Sequence, residues 1–204
     1  MDKEYESLKR ILGRNPVIPA VKDDAALKRF LNSPGEIVFI LYGDIVTLNE
    51  KVESVLKRGK IPFVHIDMVQ GMASNAIVMD YFYKHFRRDC GVITTKGSMA
   101  KKAMDHGIRV VQRYFMLDSL SVESAIDGIT KMRTDAIEIM PGIIPRVISQ
   151  LSQKTTVPII AGGLVQTALD VEKIRAAGAL SISTSKSDLW KIGHEPIKTV
   201  EKTD

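Results

Sequence analysis

Five ionisable side chains interrupt or end short apolar runs that otherwise have the composition of buried strands. They are His65, Asp67, Lys96, Arg113 and Glu138. Charged groups inside strands are costly unless they are paired or hold a ligand. Two interpretations follow. The residues line a ligand pocket, which such a concentration of buried polarity favours, or they form a layer of ion pairs that only closes the core.

A second group of residues has the types that hold an anion. Ala161-Gly162-Gly163-Leu164 ends the seventh apolar run, and Ser183-Thr184-Ser185 ends the eighth. Adjacent glycines let the backbone approach an anion closely, while hydroxyl and backbone N–H groups donate to phosphate oxygens. The two turns together predict a phosphate site, although a glycine pair alone also suits a tight turn. Its residues are Gly162, Gly163, Leu164, Ser183, Thr184 and Ser185.

A repeated pattern of elements must position these residues. Eight short β-branched or apolar runs alternate with segments whose apolar residues recur at helical spacing, such as Leu48, Val52 and Val55. Near-continuous apolar strands are typical of a parallel sheet that is buried on both faces. The runs are Val17–Val21, Glu36–Tyr42, Ile61–Val69, Cys90–Thr95, Arg109–Leu117, Asp135–Met140, Val157–Ala161 and Leu180–Thr184.

Eight strand–helix units predict an α/β fold, namely a single compact (βα)₈ barrel of the TIM type with eight parallel strands. A doubly wound open sheet is the alternative. The barrel is favoured because the phosphate-like turns follow units seven and eight, and no glycine-rich nucleotide turn follows an early strand. Residues 1–204 are predicted to be one domain, with a short capping helix in 1–15 and a tail over 194–204.

Composition limits the class of protein. A chain of 204 residues that is 45% hydrophobic and 26% charged is typical of a soluble globular domain. It has no apolar stretch of membrane-spanning length and no signal-peptide core, so we expect a cytoplasmic protein without membrane contact. No cluster of His, Cys and Asp has metal-ligand spacing, and we expect neither a metal nor a cofactor. The formal charge of +5 allows an anionic partner without requiring one.

A basic strip is predicted on two neighbouring helices. If Ile77, Val78, Tyr81 and Phe82 face the core, the opposite side of that helix faces solvent, and the next helix presents two lysines beside it. Basic side chains next to an aromatic ring suit single-stranded RNA, whereas a solvated charged face is the alternative. The strip consists of Tyr83, Lys84, Arg87, Lys101 and Lys102.

Several strings are more distinctive than general barrel motifs. They are HIDMVQG at 65–71, GVITTKGS at 91–98, QRYFMLDS at 112–119, DAIEIMPGIIPRVI at 135–148, VPIIAGGL at 157–164 and AGALSISTS at 177–185. Through them the chain from Pro16 to Trp190 resembles the glycerol-3-phosphate-responsive antiterminator family, the regulators of bacterial glycerol-uptake operons. One departure is the stretch 72–77, which lacks the acidic residue that members usually carry there.

The resemblance implies that the ligand is glycerol-3-phosphate, that the liganded protein acts on leader mRNA to let transcription pass a terminator, and that it catalyses no reaction. It assigns the glycine and serine turns to the phosphate. The glycerol end would contact His65, Asp67, Lys96, Arg113, Glu138 and Gly142. The alternative is a barrel enzyme acting on a small phosphorylated triose or sugar, with Lys96 as an amine nucleophile and Glu138 or Asp67 as a base. Whether the chain forms a homo-oligomer is left open.

Overall fold

Eight parallel strands form a closed barrel in which each strand pairs with the next and β8 pairs with β1. The computed structural model describes residues 6–72 and 75–194. It confirms the predicted α/β barrel, since each apolar run overlaps one strand. The strands are β1 (Val17–Val21), β2 (Ile37–Ile40), β3 (Ile61–His65), β4 (Gly91–Thr94), β5 (Val110–Phe115), β6 (Ala136–Met140), β7 (Ile159–Gly162) and β8 (Ser181–Thr184).

Helices connect the strands and form the outer layer. In the part of the chain that the structure describes, one α-helix precedes the barrel, seven follow the first seven strands, and two short 3₁₀ helices lie at Ile66–Met68 and Ser187–Lys191. No helix within the described residues is long and apolar enough to cross a bilayer. The α-helices are α1 (Leu8–Arg14), α2 (Asp24–Leu31), α3 (Leu48–Leu56), α4 (Ile77–Phe86), α5 (Gly97–Asp105), α6 (Ser119–Lys131), α7 (Pro145–Ser152) and α8 (Ala168–Ala176).

The core has two parts because successive side chains of a strand point to opposite sides of the sheet. One set fills the barrel interior, including Ile18, Phe39 and Phe63, and the other packs between the strands and the helices. Both sets are buried, which explains why the strands have no alternating polar face.

Helix α1 closes the amino end of the barrel, as the predicted cap requires. Leu8, Ile11 and Leu12 are buried against the interior set, and the Ser181 hydroxyl donates to the Leu12 carbonyl at 3.0 Å. Residues 1–5 of the predicted cap region lie outside the described residues. So does the predicted tail, apart from His194.

Two helices at the other end start with capping boxes. The Asp118 carboxylate accepts from the Ser121 N–H at 2.8 Å before α6, and the Thr167 hydroxyl accepts from the Asp170 N–H at 3.1 Å before α8. In each box the third helical side chain bonds back to the capping residue. These bonds satisfy N–H groups that have no partner within the helix.

The structure corrects two local predictions. The third strand ends at His65, and the expected continuation to Val69 is instead a 3₁₀ turn that places Asp67 beside β4. In α4 the prediction that Ile77 faces the core is wrong, because this first helical residue is 63% exposed, whereas Val78, Met79 and Phe82 are buried. After β8 the chain forms the 3₁₀ helix Ser187–Lys191.

Candidate functional site

A cavity of about 310 Å³ opens at the carboxyl end of the barrel, between β1, β5, β6 and the turns after β7 and β8. It brings together most of the predicted phosphate residues, namely Gly163, Leu164, Ser183, Thr184 and Ser185, with Arg113 and Glu138 of the predicted polyol group. Carboxyl ends of strands are where barrels of this kind place their functional sites.

The inner wall of the cavity is a buried ion pair with a third partner. The Arg113 Nε donates to Glu138 Oε2 at 2.7 Å, and the Ser183 hydroxyl donates to Glu138 Oε1 at 2.5 Å. The side chains of Arg113 and Glu138 are only 6% and 1% exposed. A charge taken out of water is tolerated when it is paired and its remaining bonds are satisfied, and Glu138 meets both conditions.

The absence of a side chain at Gly162 leaves space for the Glu138 carboxylate and the Ser183 hydroxyl. A Cβ atom at this position would lie 2.6 Å from Glu138 Oε1 and even closer to the Ser183 hydroxyl oxygen. Gly162 does not line the cavity directly. Its missing side chain therefore makes space for the carboxylate that the cavity uses.

The turn after β7 has an unusual backbone. Gly163 and Leu164 both adopt left-handed conformations, with φ values of 79° and 61°. The second is costly for a residue with a side chain, about 1–3 kcal/mol, and such residues tend to occur at functional sites. The Leu164 side chain points away from the core and is 63% exposed.

Thr184 ties this turn to the one after β8. Its hydroxyl donates to the Val165 carbonyl at 3.2 Å and accepts from the Lys186 N–H at 3.1 Å. Its carbonyl accepts from the Trp190 indole N–H at 2.9 Å. The Thr184 side chain thus holds the two turns together, and its hydroxyl hydrogen is already donated within the protein.

Two lysines that the sequence analysis missed line the same cavity. Lys22 directly follows β1 and Lys186 follows β8, and these strands are neighbours only because the barrel closes. A lysine after a strand is usually a solvated charge. The signal available in the sequence was their position next to the strands that carry the phosphate turns. Gln166 also lines the cavity and was not predicted.

His65 and Asp67 lie near the cavity but do not line it. His65 is buried, and its Nδ1 has no hydrogen-bond partner among the described residues. Burial, together with the charge of Arg113, lowers the pKa of His65 to about 4. The imidazole is therefore uncharged at neutral pH.

The Asp67 carboxylate joins the 3₁₀ turn after β3 to the end of β4. Its carboxylate accepts from the Thr95 N–H at 2.7 Å, the Thr95 hydroxyl at 2.9 Å and the Thr94 hydroxyl at 3.0 Å. Partial burial works to raise the pKa of the Asp67 carboxyl, but these bonds outweigh it and lower the pKa. The carboxylate is thereby held charged at the end of β4 rather than within the cavity.

Lys96 and Gly142 also lie outside the cavity lining. Lys96 is exposed at the start of α5. Gly142 is buried against β7, where its N–H donates to the Gly162 carbonyl at 2.5 Å and an added Cβ would lie 2.7 Å from the Gly162 nitrogen. Gly142 therefore allows a close approach of two backbone segments.

The predicted basic strip lies on α4 and α5, with Lys84, Arg87 and Lys101 exposed. The half-buried Tyr83 ring stacks on His106 at a centroid distance of 5.1 Å, and the Arg87 guanidinium lies 5.4 Å from the Tyr83 ring centroid. Tyr83 is thus not the free stacking ring that the prediction assumed. Lys102 pairs with Asp80 at 3.2 Å.

Within residues 6–72 and 75–194, no group of three or more His, Cys, Asp or Glu side chains is arranged to hold a metal ion.

Comparison with known proteins identifies related sequences. Residues 17–190 match the family model described as glycerol-3-phosphate responsive antiterminator. Over 185 residues the chain is 36% identical to the uncharacterized protein YgcP of Escherichia coli (strain K12). The matched region covers 91% of this chain and 96% of that protein.

Solved structures are similar as well. A glycerol uptake operon antiterminator regulatory protein from Listeria monocytogenes has 29% identity and a TM-score of 0.81, covering 94% of this chain and 98% of that one. A glycerol uptake operon antiterminator-related protein from Thermotoga maritima has 31% identity and a TM-score of 0.77, covering 87% and 99%. Deoxyribose phosphate aldolase from Aeropyrum pernix shares the fold alone, at 13% identity, a TM-score of 0.65 and coverage of 90% and 96%. The family match and these relatives show that the chain belongs to the glycerol-3-phosphate responsive antiterminator family.

Proposed function

We propose that this protein is a cytoplasmic regulator that binds glycerol-3-phosphate and then acts on leader mRNA to promote transcription antitermination of a glycerol-uptake operon. It catalyses no reaction in this proposal. The observation that carries the ligand assignment is the division of one cavity into a cationic mouth and a buried, paired polar wall.

The mouth suits a phosphate group. Lys22 and Lys186 supply two positive charges, and the left-handed turn at Gly163 and Leu164 brings backbone close to the same space. Ser185 adds a hydroxyl group. Lysine is a common phosphate ligand, and closely approaching backbone N–H groups add donors. A cavity of about 310 Å³ is at the small end of the range for ligand pockets, which fits a three-carbon phosphate ester.

The inner wall suits hydroxyl groups. Arg113 offers hydrogen-bond donors and Glu138 offers acceptors, and both line the cavity. A hydroxyl group both donates and accepts, so the glycerol end can satisfy both partners at once.

The residues of the enzyme hypothesis are arranged differently from what that hypothesis needs. Lys96, the candidate amine nucleophile, is exposed and outside the cavity lining. Asp67, one of the two candidate bases, also lies outside the cavity lining, and the charge of Glu138, the other, is matched by Arg113 at 2.7 Å. These positions support the regulator.

Ligand binding is tested by thermal unfolding with glycerol-3-phosphate, glycerol or inorganic phosphate at millimolar concentration. Glycerol-3-phosphate should raise the Tm and glycerol should not, because binding to the folded state alone stabilises it. Lys22→Ala and Lys186→Ala should each weaken binding about tenfold or more, since each removes a charge from the mouth. Lys154→Ala removes an exposed lysine that lies outside this cavity and should bind as the unaltered protein does. A Tm unchanged by glycerol-3-phosphate would contradict the ligand assignment.

RNA binding needs a separate test, because none of the residues of the basic strip lines the ligand cavity. The double variant Lys84→Ala/Arg87→Ala should retain less leader RNA on a filter, and its affinity should depend less steeply on salt. Lys173→Ala/Arg175→Ala removes the same two charges from exposed positions on α8 and is the matched control. If both double variants bind RNA equally well in the presence of ligand, the strip on α4 and α5 is not the RNA surface.

A further inference from the structure

We infer that the buried Arg113–Glu138 pair selects the chemical class of the ligand's inner end, accepting an uncharged hydroxyl-bearing carbon and rejecting a carboxylate. The inference rests on the proposed function, since it concerns the same cavity. It assigns Glu138 as a specificity-determining residue whose negative charge acts against acidic analogues of the polyol phosphate.

The pair is held in place by the barrel itself. Arg113 and Glu138 are direct partners in the ladder between β5 and β6, and Ser183 pairs with Gly162 between β7 and β8. Ser183 reaches Glu138 across the space that Gly162 leaves empty. Four consecutive strands therefore fix the carboxylate, and it cannot turn away when a ligand enters.

The distribution of charge along the cavity differs between its two ends. The mouth carries Lys22 and Lys186 without a carboxylate among the residues that line the cavity beside them. At the inner wall the positive charge of Arg113 is already matched by Glu138 at 2.7 Å. The cavity is thus built for a ligand that is dianionic at one end and neutral at the other.

Hydrogen-bonding capacity at the inner wall points the same way. Arg113 uses its Nε–H on Glu138, and no described residue accepts from its two terminal nitrogens, which remain as donors towards the cavity. Each Glu138 oxygen accepts one protein bond and keeps a lone pair. A hydroxyl group can bond to both partners, whereas a carboxylate has no proton to donate and would place a second negative charge beside Glu138.

The test compares two ligands that differ at one carbon. Racemic glycerol-3-phosphate and racemic 3-phosphoglycerate share the phosphate and the central hydroxyl, but the latter has a carboxylate in place of the terminal CH₂OH. Isothermal titration of the unaltered protein should show at least about 100-fold tighter binding of glycerol-3-phosphate, because like charges in a poorly solvated site repel strongly. Equal affinity for the two ligands would overturn the inference while leaving the proposed ligand in place.

A pair of variants separates charge from structure. Glu138→Gln removes the negative charge with little change of shape, and the preference should fall to about tenfold or less as 3-phosphoglycerate gains affinity. Ser183→Ala removes the other bond to the carboxylate but keeps the charge. The preference for glycerol-3-phosphate over 3-phosphoglycerate should therefore persist in this variant, even if both ligands bind more weakly. An undiminished preference in Glu138→Gln would overturn the inference. Binding of neither ligand to the unaltered protein would instead overturn the proposed function, and this inference with it.

Discussion

His65 lies at the end of β3 with a buried imidazole that is neutral at physiological pH. Burial and then the charge of Arg113 lower its pKa, but the His65 side chain itself does not line the cavity. A histidine in this position adds polarity beneath the site without adding charge, and it titrates far from its ordinary pKa of about 6.5.

This pKa makes stability depend on pH. The folded protein binds a proton at His65 only near pH 4, whereas the unfolded chain binds it near pH 6.5. Between these values the unfolded state holds more protons, so the free energy of unfolding should fall as pH falls, by about 3 kcal/mol from this group. Urea denaturation at pH 7 and pH 4.5 measures the difference.

His65→Gln should flatten this dependence because it removes the titrating group. The matched control is His85→Gln, at an exposed position on α4. If the two variants lose stability equally between pH 7 and pH 4.5, His65 does not carry the effect.

The sequence indicated which types of residue form the candidate site better than it indicated which individual residues line the cavity. Arg113, Glu138 and most residues of the two predicted turns line one cavity, because strand ends and turn glycines leave clear patterns in the sequence. Lys96 was placed there for the same reason, yet it begins α5 and is exposed. Lys22 was missed because its proximity to Lys186 depends on closure between β1 and β8, which no local pattern displays.

The capping boxes at the starts of α6 and α8 fix the loops that precede these helices at the carboxyl end of the barrel. Before α6, the Ser121 hydroxyl also accepts from the Leu117 and Asp118 N–H groups at 2.9 and 3.0 Å. These bonds define where the helix begins, and they depend on two short polar side chains three residues apart.

Asp118→Ala should therefore lower the free energy of unfolding by about 1 kcal/mol, since the Ser121 N–H loses its acceptor at 2.8 Å. Urea denaturation at neutral pH measures the change. Asp127→Ala is the control, because Asp127 is exposed on the same helix beyond its first turns. A loss in Asp127→Ala as large as in Asp118→Ala would show that net charge, rather than the cap, sets the effect.

Element order was predictable because hydrophobic periodicity is local, but one boundary was not. Ile66 and Val69 are buried and continue the apolar run beyond His65, so the sequence favours a longer strand. The chain turns there because Asp67 bonds to Thr94 and Thr95 in the next strand–helix unit. A bond across 27 or 28 positions leaves no trace in the periodicity of either segment.

The amino and carboxyl ends of the barrel differ in structure. Helix α1 fills the amino end, where Arg14 bonds to Glu6 at 2.6 Å and to Glu36 at 2.8 Å. The large apolar side chains that are exposed in the described part of the chain lie at the carboxyl ends of strands or in the loops and helix starts that follow them. They are Ile45, Val46, Met68, Ile77, Phe115, Leu117, Leu120, Ile143, Leu164 and Leu169. Barrels commonly separate stability and function in this way.

Leu12→Ala tests that separation. Leu12 is fully buried in the amino-end cluster, so its truncation should lower the free energy of unfolding by about 2–5 kcal/mol. The dissociation constant for glycerol-3-phosphate should stay within about twofold, because distant sites contribute independently. Lys9→Ala, an exposed position on α1, should change neither quantity. An affinity loss that parallels the stability loss would contradict the separation.

Trp190 is the only tryptophan in the sequence, and its indole N–H donates to the carbonyl of Thr184, the residue that joins the two phosphate turns. It is almost fully buried. Emission excited at tryptophan wavelengths therefore comes from one side chain, which is bonded to the backbone of the turn after β8. A ligand that shifts these turns should change the wavelength or intensity of that emission. Binding in the cavity can then be followed by fluorescence titration without a label on the protein or the ligand.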